Sequence, residues 1–562
     1  MRNRLTRNGR EKSHLKLPFN KYVRSASHLG GSRLPQEQPY APRRSGINQH
    51  LTVHVIFSGI LATVLVTLCG ASFAQSDSSS LPRAEQISPS GRAQGGSTVQ
   101  AEQSSSENGS TSSVNTVNST IQVSGPYQGS VPDPNVPQGP LTLNIADAIR
   151  RGLRFNLGAI SANASVKQLR GERLAALSSM LPNIYGTLSE NAAKVDLATL
   201  GLIPGTFGGS IPLPTTVGPF HYYGALANLS EDLSMTSLHN LRQSQASEVA
   251  AQMSAQDARE LIILAVSGTY LRVLASKANV LSQEAQVTQA AATFRQSEHQ
   301  YEAGTKASID RNKSFVEYHT QQQRLTSLRG DLLKQNMQLA RLIGLPVGQV
   351  FSLSEDLPAQ VPEAVSLEEA LKLAFEDRSD LKAARLQLKA ASEAHNASKA
   401  EYLPSLGING NYGIEGINPN KGVSVFQAAA TVTIPIFQGG RVKADVEQAD
   451  AAVSQRQAEY ADEKGAVELD VRQAYIDLQV ATEQIAVAIE NRKVAAEILK
   501  QSLDRFAAGV TNSVEVVQSQ ETVASAERDY VSTLFSLNLA RISLARATGQ
   551  AEQFIPNMLK GN

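Results

Sequence analysis

Few residues in this sequence have a type and spacing that could do chemistry. Downstream of residue 74 stand five histidines, His221, His239, His299, His319 and His395. None sits at a metal-ligand spacing such as H-E-x-x-H, and there is no Walker A loop, dinucleotide fingerprint or nucleophile elbow. The single cysteine, Cys69, lies upstream, so the downstream chain offers no disulfide, thiol nucleophile or thiolate metal site. What remains is a pair of carboxylates, Asp310 and Glu515, each six residues past a glycine, Gly304 or Gly509. Ser308 and Ser513 are placed to cap the helices that follow, where a carboxylate in the first turn complements the helix dipole. Such groups bind or gate. They do not make an enzyme, and no cofactor or metal is called for.

The elements that position these carboxylates occur twice. Leu143-Asn144-Ile145-Ala146-Asp147-Ala148-Ile149 reappears as Val365-Ser366-Leu367-Glu368-Glu369-Ala370-Leu371, an offset of 222, and Leu181-Pro182-Asn183-Ile184 answers Leu403-Pro404-Ser405-Leu406. Further on, Tyr270-Leu271 answers Tyr475-Ile476, and Tyr301-Glu302-Ala303-Gly304 answers Phe506-Ala507-Ala508-Gly509, at an offset of 205. Two copies of one unit are in tandem. The offset drops where the first copy carries the Gly- and Pro-rich stretch Lys194 to Pro219 and the second only Glu415 to Lys421. A stretch that varies freely between copies is a surface loop.

Each copy opens with a helix that closes before its Leu-Pro pair, because proline disfavours helix in the residue before it. An extended pair follows. Phe426, Ala428, Ala430, Val432, Ile434 and Ile436 share one face and Gln427, Thr431 and Thr433 the other, the period of a strand. Periodicity alone leaves open whether such a strand is half-buried in a core or faces lipid. Tyr223, Ala225, Ala227 and Leu229 repeat the pattern in the first copy, where Glu231 then replaces the matching Ile434.

Long polar, alanine-rich helices come next, from about Ser237 to Tyr301 and from about Arg441 to Phe506. At 1.5 Å per residue they reach about 100 Å. Ile263, Val266, Tyr270, Val273, Val280 and Val287, and likewise Val471, Tyr475, Leu478 and Ile485, keep a heptad rhythm that predicts coiled-coil packing. Gly304 and Gly509 end these helices, glycine being tolerant of the left-handed conformation. The return helices are expected over Ser308 to Leu342 and Ser513 to Ala547.

The ends set the compartment. A basic segment precedes the apolar run Val53 to Phe73, and Ser72-Phe73-Ala74 is a small-x-small cleavage site, so residues 1–74 read as a basic leader with a signal peptide and the exported chain begins near Gln75. An uncleaved anchor helix is the other reading of that run. Beyond residue 74, 41 Lys and Arg face 49 Asp and Glu, a negative balance that argues against nucleic acid as a partner. Residues 75–140 are dominated by Ser, Gln, Gly, Asn and Pro and are expected to lack fixed structure.

With these residues in view, the chain resembles the TolC-type outer-membrane efflux proteins from Leu141 to Pro556. The resemblance rests on Tyr402-Leu403-Pro404-Ser405-Leu406 entering a strand, Ile434-Pro435-Ile436-Phe437-Gln438-Gly439-Gly440 leaving one, and the paired Tyr/Phe-x-x-Gly turns. It implies a mixed α and β membrane protein: a homotrimer whose protomers each give four strands to a twelve-stranded β-barrel, continued by a periplasmic α-helical coiled-coil tunnel. Four strands cannot close alone, and a membrane sheet cannot leave open edges. The resemblance divides the chain into a first repeat, 141–359, a second, 360–556, and a tail, 557–562. Pro182, Pro404, Pro435, Gly439 and Gly440 mark the strand–helix junctions. Asp310, Glu515, Phe506 and Thr511 fall at the periplasmic aperture, and Gly304, Ser308, Gly509 and Ser513 at the hairpin turns where an adaptor docks. Phe506 stands where some members have a tyrosine and Thr511 where they have an arginine, so any closure of the mouth must use other contacts. Three copies of Glu515 would form a carboxylate ring that favours cations and could hold a divalent ion. Glu231-Asp232, charged at a strand end, are expected below the lipid.

The function that follows is a passive outer-membrane export duct in an efflux pump or type I secretion system. Its partners would be a periplasmic adaptor and an inner-membrane pump of RND or ABC type. A periplasmic adaptor protein is the alternative, although one hairpin flanked by soluble β domains would then be expected. The cargo is not legible.

Overall fold

The computed structural model describes residues 99–105, 117–136, 139–197, 215–360, 366–418 and 420–558. The leader, Cys69 and most of the Lys194 to Pro219 loop lie outside the described residues. In chain order the elements are β1 (Val99–Ser105), β2 (Val117–Val123), β3 (Leu141–Leu143), α1 (Ile145–Phe155), α2 (Leu157–Ser178), β4 (Asn183–Asp196), β5 (Thr216–Leu233), α3 (Met235–Glu302) and α4 (Ser308–Leu342). The second half gives β6 (Phe351–Leu353), α5 (Leu367–Asp377), α6 (Ser379–Ala400), β7 (Ser405–Gly416), β8 (Val423–Thr433), α7 (Arg441–Ala507), α8 (Ser513–Ala547) and α9 (Ala551–Met558).

The motif repeated at an offset of 222 is a helix start. Asn144 accepts a hydrogen bond from the Asp147 amide at 2.7 Å and Ser366 one from the Glu369 amide at 3.2 Å, each satisfying a backbone donor that has no partner inside its helix. Just before α1 the short strand β3 pairs in parallel with β6, which follows α4, Leu141 opposite Phe351. The helices then break at equivalent places, Asn156 and Arg378, which both take extended backbone.

β4, β5, β7 and β8 form one antiparallel sheet in that order, two strands from each repeat. Ile184 lies opposite Leu229, Tyr223 opposite Gly416 and Tyr412 opposite Phe426. β4 and β8 are its edges, each paired on one side only among the described residues. Pro182 and Pro404 stand immediately before β4 and β7, and Pro435 shortly after β8. Gly439 and Gly440, at φ 61° and 86°, turn the chain into α7. β8 ends at Thr433, so Ile434 and Ile436, expected to continue its face, lie beyond it. Pro435 between them has no N–H to give to a ladder. Glu231 and Asp232 are inside β5, opposite Ile408 and Gly407.

The main core surrounds the middle of α3. Ile262, Ile263, Ala265, Val266, Tyr270 and Leu271 are fully buried there by α1, the end of α4, α8 and the β1–β2 hairpin. By length and composition α3 could cross a bilayer, but its apolar window is two-thirds buried in the fold, as befits a helix apolar all round. A second cluster joins α5, α7 and α8 through Ala370, Ala374, Val467, Val471 and Leu544. Of the heptad positions in α7, Val471 and Ile485 are buried, while Tyr475 and Leu478 are half-buried.

One expectation is corrected at the N-terminal side. Within 75–140, residues 99–105 and 117–123 pair as an antiparallel hairpin, Val99 opposite Val123. Val99, Ile121 and Tyr127 are buried in the main core. Ile121 lies against Gly268 of α3 so closely that a Cβ there would meet its side chain at 2.3 Å. Few apolar residues suffice because a notch in a long helix receives them.

Candidate functional site: the tips of the two helical hairpins

α3 and α4 form one helical hairpin and α7 and α8 another. Their turns are built alike. Gly304 and Gly509 have φ of 72° and 75°, a left-handed backbone that a Cβ would strain. Just inside each tip a pair of buried serines bonds across the hairpin, Ser297 to Ser314 at 2.9 Å and Ser502 to Ser519 at 2.7 Å. These pairs match at an offset of 205, as do the two return helices.

The start of each return helix differs from the expectation. Ser308 and Ser513 are first helical residues, not caps. The cap of α4 is Ala307, which has no side chain to offer, and the cap of α8 is Asn512, whose amide oxygen takes the Val514 and Glu515 amides. The cap must have extended backbone, and that falls one residue earlier in each turn.

Freed from capping, Ser513 is fully buried and donates to Asp310 Oδ1 at 2.9 Å, joining the two hairpins. Ser308 is exposed. Glu515 stays on its own hairpin, taking a hydrogen bond from the Thr511 hydroxyl and lying 3.5 Å from Arg505. Phe506, expected at the aperture, is instead 1% exposed. An apolar ring without a hydroxyl has nothing to gain at a wet constriction, and here it packs inside the tip under an ammonium.

That ammonium belongs to Lys306, a residue the sequence did not single out. Its Nζ lies 5.4 Å from the Phe506 ring centre and donates to the Thr511 carbonyl at 3.3 Å, a cation–π and hydrogen-bond contact from one turn to the other. Lys306 precedes Thr511 by the repeat offset of 205. A cation missing at one position is supplied at its counterpart, and aligning the two turns would have exposed the exchange. Among the described residues no cluster of three or more metal-ligating side chains occurs.

A second charged assembly ties the halves together far from the tips. Arg546 of α8 is buried among Asp257 and Glu260 of α3 and Asp380 of α6, with Glu260 and Asp380 each 3.6 Å away. Arg378 bonds Asp380 and, at 2.9 Å, Asp470 of α7. Burial pushes the Glu260 carboxyl up to about 7 against the pull of Arg546. Burial also raises Asp380, but hydrogen bonds from Arg378 and the charge of Arg546 outweigh it and hold that carboxyl well below the usual range.

The family described as outer membrane efflux protein matches residues 370–550, most of the second repeat. Over that stretch the chain is similar to the outer membrane efflux protein family. It is 26% identical over 184 residues to outer membrane protein OprJ of Pseudomonas aeruginosa, covering 31% of this chain and 37% of OprJ. It is 25% identical over 194 residues to the cobalt-zinc-cadmium resistance protein CzcC of Cupriavidus metallidurans, covering 34% and 44%. The chain thus spans less than half the length of these two relatives. The solved outer-membrane channel OprN superposes with a TM-score of 0.62 at 17% identity, over 72% of this chain and 90% of OprN, so the two share a fold that extends beyond the second repeat.

Proposed function

We propose that this chain is the outer-membrane channel subunit of a tripartite efflux pump or type I secretion system. Three copies form a passive duct through the outer membrane and periplasm. The observation that carries this reading is the four-stranded sheet, drawn equally from both repeats, whose edge strands β4 and β8 are each paired on one side only among the described residues. Such a sheet survives in lipid only when its edges find each other around a closed barrel, and three copies supply twelve strands. The two hairpins, whose long helices run for about 100 Å, continue the barrel as a periplasmic tunnel, with outer-membrane lipid around the strands. At the tips a periplasmic adaptor docks and hands over cargo from an inner-membrane pump. The adaptor alternative finds no support, since two hairpins and a shared sheet do not suit it and the similar proteins are outer-membrane ones.

The test is outer-membrane fractionation, mass determination of the detergent-purified particle, and single-channel recording in planar bilayers. A conducting outer-membrane trimer supports the reading; a soluble or inner-membrane monomer overturns it. The cargo is open: CzcC is named for cobalt, zinc and cadmium resistance, whereas the name of OprJ gives no cargo. If Asp310 and Glu515 line the mouth, D310N with E515Q changes conductance or cation selectivity. Unchanged currents would leave both carboxylates as helix-end partners only.

A further inference from the structure

The two hairpins meet inside one chain through a head-to-tail contact. Both tips point the same way, since Lys306 reaches Thr511 and Ser513 reaches Asp310. Had the repeats met about a local two-fold axis, the link between Asp310 and Ser513 would be mirrored by one between their counterparts Glu515 and Ser308 in the same interface. It is not: Glu515 is engaged on its own hairpin and Ser308 is exposed. A head-to-tail contact leaves one face of each hairpin unused, and these faces suit each other. Repeated round a closed ring, they meet between copies.

The contacts made inside the chain can be carried over, through the offset of 205, to the residues at the equivalent positions of these unused faces. Arg546 with Asp257 maps to Arg341 and Asp462, opposite charges that are both exposed in the single chain. Gln520 donates to the Thr293 hydroxyl at 3.0 Å, and this pair maps to Phe315 and Ile498, large apolar residues 47% and 44% exposed. Ser513 with Asp310 maps to Ser308 and Glu515. Three positions spread along the hairpins thus carry a charge pair, an apolar pair and a hydrogen-bonding pair with no partner chain present to require them. The Arg324–Glu521 ion pair has no such echo, for its counterparts are Asp529 and Val316.

We propose that a second copy of this chain docks on the first through Arg341 to Asp462, Phe315 to Ile498 and Ser308 to Glu515, the first-named residue of each pair on one copy and the second on the next. This rests on the trimeric channel reading and deepens it. Polar and apolar grooves then alternate round the tunnel. The groove within each chain keeps Gln–Thr chemistry and a cavity of about 530 Å³ lined by Gln286, Gln520 and Val523. At the matching place between chains, Phe315 and Tyr318 stand where Gln520 and Val523 do and fill the space.

The experiment is cysteine cross-linking with a short bis-maleimide in outer membranes, in a C69S background. F315C with I498C, and R341C with D462C, should yield covalent trimers, whereas T293C with Q520C should cross-link without leaving the monomer mass. Charge reversal R341D should lower the trimer recovered in detergent several-fold, and D462R in the same chain should restore it. A particle that is trimeric by light scattering, cross-links through T293C and Q520C, and gives no inter-chain product with the other pairs would overturn the interface while leaving the channel standing. A particle that is not trimeric would overturn the channel reading itself.

Discussion

The two repeats share a backbone plan and differ in what they place at its critical points. Both break their opening helices at matching positions, yet the first puts Asn156 there and the second Arg378. Asn156 is buried and settles locally, donating to the Tyr127 carbonyl at 2.8 Å. Arg378 opens an ionic network that reaches α6 and α7. The last turns of the return helices repeat the contrast, with Arg341 exposed and Arg546 buried among three carboxylates. Duplication preserves geometry, and the side chains at preserved positions decide which neighbour each half holds.

That contrast can be broken, starting with its largest energetic difference. R546A strands Asp257 and Glu260 without their cation and leaves Asp380 to Arg378 alone, and removing one member of a buried ionic cluster costs about 3–5 kcal/mol. R341A, at the exposed counterpart, costs at most about 1 kcal/mol within a chain. Urea unfolding in detergent should separate them, and equal effects would erase the distinction. Glu260 sharpens the same point through pH. Its folded carboxyl holds a proton up to about 7, against an ordinary 4.5 in the unfolded chain. Its contribution is therefore complete below about 4.5 and is lost as pH rises through about 7. E260Q should flatten the stability profile across that window relative to the parent, an unaltered slope being the contrary result. Where the repeats are alike, their variants should be too. G304A and G509A both force a side chain into a left-handed turn with open space around it, each costing roughly 1–2 kcal/mol. Limited proteolysis at the tips should find them equally opened. The smallest difference is at the caps: N512A loses about 1 kcal/mol, while A307N gives the first hairpin a cap it lacks and gains a similar amount. Melting midpoints that move in opposite directions would bear this out.

Much of this architecture is legible in the chain. The return helices run over Ser308–Leu342 and Ser513–Ala547 because a glycine stop and a polar restart bracket each one. What escaped was either one residue wide or long in range. Asn512 and Ser513 are both capping types, and only backbone conformation chooses between them. Ile434 and Ile436 keep the strand's alternation past the point where Pro435 ends its hydrogen bonding. The β1–β2 hairpin was hidden because polar residues surround Val99 and Ile121, and the groove that receives them is made by α3 and α8. Arg378 and Arg546 lie 168 residues apart and share Asp380, and no local pattern announces such a meeting. At the tip only the resemblance puts Phe506 at the opening, whereas its apolar ring is buried under the facing Lys306.

The β1–β2 hairpin also has a consequence for the order in which the molecule is made. Val99 and Ile121 belong to the same core as Val531, Phe535, Leu539 and Ile555. A chain exported from its N-terminus delivers the first two of these more than 400 residues before the rest. Until α8 and α9 have crossed the inner membrane the hairpin has only half of its seat, and the core cannot close. In a chain so exported, completion of the fold is tied to completion of transport, and one stalled short of its last helices would leave the apolar middle of α3 only partly covered in the periplasm.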